Sequence, residues 1–98
     1  MTDKTKDRLK AQASILKALG HPTRLLLVEE LATKPRCVCE LTTAAGVNIS
    51  TVSRHLSVLK HAGIVLDEKR GLQVWYSLRT PCVLKFFQCV ESVQKCCR

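Results

Sequence analysis

Apolar residues recur at intervals of three and four through the first sixty or so positions, break into two short β-favouring runs, and then resume the longer period. The first segment, Thr5 to Leu19, places Leu9, Ala13, Leu16 and Leu19 on one side, which is helical spacing. Gly20 closes that helix and Pro22 suits the first turn of the next. "TRLLLVEELA" carries Leu25, Leu26, Val28, Leu31 and Ala32, an apolar content that predicts burial on most sides. Pro35 turns Lys34 away from helical conformation and ends the segment. "CVCELTTAAG" predicts a short third helix stopped at Gly46, and "NISTVSRHLSVLKHAG" a fourth ended by Gly63, with Asn48 or Ser50 as its cap. "IVLDEKRGLQVWYSL" then predicts a hairpin with Gly71 in the turn, and a last helix follows Pro81. The expected architecture is mostly α with a small β-hairpin: five helices in one domain over residues 1–98.

The third and fourth helices, joined at "AAGVN", fit a helix-turn-helix with its short glycine-containing connection. Val52, Leu56 and Leu59 give the fourth helix an apolar back. Its front is small and polar: Ser50, Thr51, Ser53, Arg54, Ser57 and Lys60. Small hydroxyl side chains let a helix sit deep in a major groove, and an arginine there can grip guanine through two hydrogen bonds. His55 is a candidate phosphate contact at the edge of this face, whereas His21, beside Pro22, reads as a turn residue. Lys69 and Arg70, at the hairpin tip, suit the neighbouring backbone, where contacts position a protein without reading sequence.

Charge strengthens that reading. Sixteen Lys and Arg against eight Asp and Glu give a net charge of +8, which favours a polyanionic partner. The amino terminus lacks the apolar run of a secretory signal, and no stretch approaches the ~18 apolar residues of a membrane span. A cytoplasmic protein with no membrane partner is therefore expected, and its six cysteines are expected to be reduced thiols rather than a disulfide scaffold. A Gly-rich cofactor loop, a nucleophile–base pair and room for a catalytic domain are all missing, so an enzyme is not expected.

"ALGHPTRLLLVEEL", "CVCEL", "STVSRHLSVLKHAGIV" and "DEKRGLQVWYSL", in that order, resemble the arsenical-resistance repressor (ArsR/SmtB) family of bacterial metalloregulators. The resemblance spans roughly residues 12 to 79. It implies a winged helix-turn-helix homodimer joined through its first and last helices, which represses a resistance operon and leaves its operator DNA when the inducer binds. It also implies that Ser50, Thr51, Ser53, Arg54 and His55 lie on the DNA-reading helix and Lys69 and Arg70 on the wing.

Cys37 and Cys39 pose a geometric problem. Residues two apart on a helix point about 200° from each other, so both grip one ion only if the first turn is irregular or unwinds on binding. Taken alone, the pair fits two small buried residues as well as two ligands. The resemblance assigns "CVCEL" to the family's thiol-sensing position. Thiolates favour thiophilic centres: arsenite or antimonite first, with cadmium, lead and mercury as other candidates, and no resident cofactor. A thiol redox or persulfide sensor on the same fold is the alternative.

Thr42 stands where the best-known arsenic-sensing members carry a third cysteine. No cysteine precedes position 37, so a third thiolate either comes from Cys82, Cys89, Cys96 or Cys97 or is missing, which would leave a two-thiolate site. Cys82, Phe86, Cys89, Val93 and Cys96 form a heptad seam that fits a partner subunit, which makes Cys82 and Cys89 packing residues. Cys96, ahead of Cys97, is the candidate third ligand, reaching the partner subunit's site from a fraying terminus.

Overall fold

The computed structural model describes residues 1–96. Its elements run α1 (Asp3–Leu19), α2 (Pro22–Glu30), β1 (Arg36–Cys37), α3 (Val38–Ala45), α4 (Ile49–His61), β2 (Val65–Arg70), β3 (Gln73–Leu78) and α5 (Val83–Cys96). The strands form one antiparallel sheet in the order β1-β3-β2.

Local chemistry sets most of these boundaries. Pro22 occupies the start of α2, and the His21 ring caps it by accepting from the Thr23 N–H at 3.1 Å. Asn48 caps α4 through its side-chain oxygen, which accepts from the Thr51 N–H at 2.9 Å. Gly46 ends α3 in the left-handed region at φ 69°, and Gly71 turns the hairpin at φ 63°. Each needs a conformation that a side chain would strain.

The core lies where α2, α3 and α4 meet the start of β2. Leu27 and Val28, Leu41, and Val52, Leu56 and Leu59 are completely buried, with Val65 beside them. Ala18 and Leu19 bring the end of α1 onto this cluster. The apolar stripe of α4 is the one its sequence period predicts.

Two features differ from the sequence expectation. First, α2 stops at Glu30, and Leu25 is 37% exposed instead of buried. It opens onto an apolar groove of about 410 Å³ that Leu16, Leu19, Phe86, Phe87 and Val90 also line. Secondly, Cys37 lies outside α3. Its backbone is extended, at φ −80° and ψ 162°, and it pairs with Trp75 as the second residue of a strand. A two-residue strand carries no periodicity, so pattern reading passes over it. Arg36 holds this segment in place by donating from Nε to the Glu30 carbonyl at 3.1 Å and flanking the Glu30 and Glu40 carboxylates. In addition, α5 has no fully buried residue. Val83, Leu84 and Phe87 rest on the core, while Phe86, Val90 and Val93 are 41%, 43% and 61% exposed. Leu9, Ile15 and Leu16 are similarly open on α1. Among the described residues no helix is long and apolar enough to cross a membrane.

Leu56, fully buried, and Leu72, fully exposed at the hairpin tip, make a matched pair for testing this core. Leu56→Ala is expected to cost about 2–5 kcal/mol, from lost burial and the cavity left behind. Leu72→Ala is expected to leave the urea midpoint unchanged. Equal effects would show the core is misplaced.

Candidate nucleic-acid interface and thiol site

The chain reversal at Gly46 sets α3 against α4, and the buried stripe of α4 fixes its rotation. Ser50, Ser53, Arg54, Ser57 and Lys60 are consequently exposed, and Thr51 is half-buried at their edge. Arg54 has no side-chain partner among the described residues. Lys60 is committed differently: its Nζ lies 3.0 Å from Asp67 Oδ2, a bridge from the helix to the hairpin.

His55 is not an open member of this face. It is half-buried, with its ring centroid 4.3 Å from that of His21 and the planes tilted by 42°. Burial lowers its pKa below the ordinary 6.5, and neighbouring His21, Arg24 and Arg54 lower it further. The pairing of His21 with His55 has no signal in the sequence, since 34 positions separate them and only the docking of α2 on α4 brings them together.

Strand alternation sends the two wing cations to opposite faces. Lys69 shares its face with Asp67 and Val74, and has no side-chain partner among the described residues. Arg70 shares the other face with Glu68 and Trp75. Its Nε is 3.4 Å from Glu68 Oε1, and its guanidinium lies 5.1 Å from the centre of the Trp75 ring.

The thiols occupy unlike environments. Cys37 is 6% exposed, whereas Cys39, the second residue of α3, is exposed. The Glu40 carboxylate accepts from the Cys37 N–H at 3.2 Å and from its thiol at 3.4 Å. These two hydrogen bonds, with Arg36 and Lys34 nearby, hold the Glu40 carboxyl below its usual range. Cys37 thus gives this helix an irregular, extended start, one of the two arrangements that would let both thiols face one centre. Thr42 turns its hydroxyl back to the Val38 carbonyl at 2.7 Å. Cys82, Cys89 and Cys96 are exposed, and Cys97 lies outside the described residues. Among the described residues no three His, Cys, Asp or Glu side chains converge, so one chain does not gather Cys37, Cys39 and Cys96. Cys37 and Cys39 are both soft donors, of the kind that favours thiophilic centres.

Five helices, a reading-type helix behind a tight glycine turn, and a basic hairpin beside it define a winged helix-turn-helix. Residues 21–66 match the family model described as a bacterial regulatory protein of the arsR family. The chain is 43% identical over 70 residues to the transcriptional repressor SmtB of Mycobacterium tuberculosis, covering 71% of this chain and 52% of that protein. It is 42% identical over 67 residues to the arsenical resistance operon repressor of Escherichia coli, covering 65% and 56%. The chain thus spans about half the length of these two curated relatives. A homodimeric winged helix-turn-helix DNA-binding domain from Mycobacterium bovis, a possible ArsR-family regulator, superposes with a TM-score of 0.82 at 30% identity, covering 97% of this chain and 88% of that one. The chain belongs to the ArsR family, whose members are DNA-binding transcriptional regulators and not enzymes.

The depressed pKa of His55 makes stability depend on pH. The folded state binds fewer protons than the unfolded one where His55 would otherwise charge, so stability rises with pH across that window. As pH falls through 6.5 towards the lower folded value, the protein is expected to lose stability. His55→Gln should flatten that slope in urea titrations run between about pH 7.5 and 5.5, above the carboxylate range. An unchanged slope would assign it to another group.

Proposed function

We propose that the chain is a homodimeric repressor that binds operator DNA and releases it when trivalent arsenic or antimony is captured by Cys37 and Cys39. The observation that carries this reading is the position of Cys37. It is the residue from which α3, the first helix of the DNA-binding unit, starts. Each thiol exchanges with one hydroxide of As(OH)₃. An As–S bond forms, and the thiol proton leaves with the hydroxide as water, so nothing is oxidised. Binding draws the extended Cys37 and the helical Cys39 towards one centre, which reshapes the start of α3. Inducer and DNA then oppose each other through a reciprocal coupling energy. Cys96 of the partner subunit supplies the third thiolate in this scheme.

On the DNA side, Ser50, Thr51, Ser53 and Arg54 enter the major groove, with Arg54 the base-reading cation and His55 at the border of the face. Lys69 and Arg70 contact backbone phosphates. The exposed apolar positions of α1 and α5 cover one another between two chains, which explains why so many of them lack a partner in one. Two linked half-sites then bind more tightly than either alone.

The reading is tested on a duplex selected by the protein from a random pool. Sodium arsenite should release the wild type, while Cys37→Ser and Cys39→Ser should keep DNA affinity and ignore arsenite. Cys96→Ser should respond more weakly, and X-ray absorption should count three sulfurs around arsenic in the wild type and two in this variant. Release by a persulfide donor but not by arsenite would replace the metalloid reading with a redox one.

Arg54→Ala should weaken binding to the selected duplex by about 1–3 kcal/mol and relax base preference, as expected for a bidentate base contact. An equal loss on every sequence would make Arg54 a phosphate contact.

A further inference from the structure

We infer that Trp75 is the positioning residue that joins the thiol site to the wing, resting on one side against Cys37 and carrying Arg70 on the other. The inference rests on the thiophilic response proposed above and names the route by which that response reaches DNA.

Three observations converge on it. Cys37 and Trp75 are register partners in the β1–β3 pair, and Glu68 is the partner of Trp75 in the β2–β3 pair. Directly paired residues project to the same side of a sheet, with Cβ atoms about 4.5–5.5 Å apart. Cys37, Trp75 and Glu68 therefore share one face, and Arg70, two residues beyond Glu68, shares it too. The core is on the opposite face, where Val65, Tyr76 and Leu78 point. This explains an otherwise odd fact: Cys37 is only 6% exposed yet stands outside the contiguous core cluster. On its own face it has Trp75 across the strand pair, and the Glu40 carboxylate accepts from its thiol. The indole of Trp75 is the large side chain beside it, and the Arg70 guanidinium lies over that ring at 5.1 Å.

An arsenic atom with its remaining ligands is far larger than the thiol hydrogen it replaces. Cys37 cannot take it up at its present burial without gaining room. Either the indole moves aside or the sulfur swings out from beside it. Both outcomes remake the surface on which Arg70 rests, and so shift a wing cation without unfolding the hairpin. Glu40 keeps the Cys37 N–H and loses only the S–H donor.

Trp75 is the single tryptophan of the chain, so its emission reports on this position alone. The experiment follows three readouts on the full chain with sodium arsenite: Trp75 emission, protection of thiols from a thiol-reactive dye, and affinity for the selected duplex. In the wild type, emission should change with the same midpoint as thiol protection, and arsenite should weaken DNA binding by about 5- to 150-fold, the usual range for coupled sites. Trp75→Phe keeps an aromatic ring but has a weaker cation–π face. It should retain thiol protection at the same midpoint and lose at least two-thirds of the arsenite effect on DNA. Arg70→Gln leaves the Cys37 side of the sheet intact and should do the same, which keeps the test decisive if Trp75→Phe folds poorly. Thiol protection with steady emission, or an undiminished arsenite effect in both variants, would overturn the relay and leave the thiophilic reading standing. Absence of both thiol protection and DNA release in the wild type would overturn the two together.

Discussion

Everything that faces outward from this domain is set by how α4 is seated. Val52, Leu56 and Leu59 are completely buried against Leu27, Val28 and Leu41. A helix has one rotation that buries such a stripe, so the stripe also decides which residues look away from the core. Ser50, Ser53, Arg54 and Ser57 are presented because three apolar side chains on the other side leave no alternative. The Lys60–Asp67 ion pair then links the far end of α4 to the hairpin.

The sheet adds a second constraint. Its central strand, β3, pairs with the hairpin partner on one side and with the two residues before α3 on the other. Cys37 therefore belongs to two elements at once, as the starting residue of a helix and the last residue of a strand. Any change in its side-chain chemistry is felt by both. Burial, a carboxylate acceptor and an aromatic neighbour distinguish it from Cys39, although the two are separated by one residue and look equivalent in the sequence.

How much was legible beforehand follows the length scale of each interaction. The five helices and the hairpin announced themselves because each repeats a pattern over several turns or residues, and the caps at Pro22, Gly46 and Asn48 are local chemistry. The polar front of α4 was readable as the complement of its apolar back. What stayed hidden depends on contacts between distant segments: the two-residue strand β1, the His21–His55 ring pair, and the shared face of Cys37, Trp75 and Arg70. The sequence joins Lys69 and Arg70 as one basic tip, whereas the pleat separates them to opposite faces. Exposure of Leu25 has no signal in composition, which shows an apolar helix and not which side lacks a neighbour.

The hairpin also has a free margin. With the order β1-β3-β2, strand β2 lies at the edge of the sheet and offers unpaired backbone groups along one side. Such an edge is a template for a strand of another chain. Here it reads Asp67, Glu68, Lys69 and Arg70, four charged residues in succession. A second strand laid alongside would take these four charges out of water. The free margin thus resists propagation of the sheet, through the desolvation of its own charged side chains.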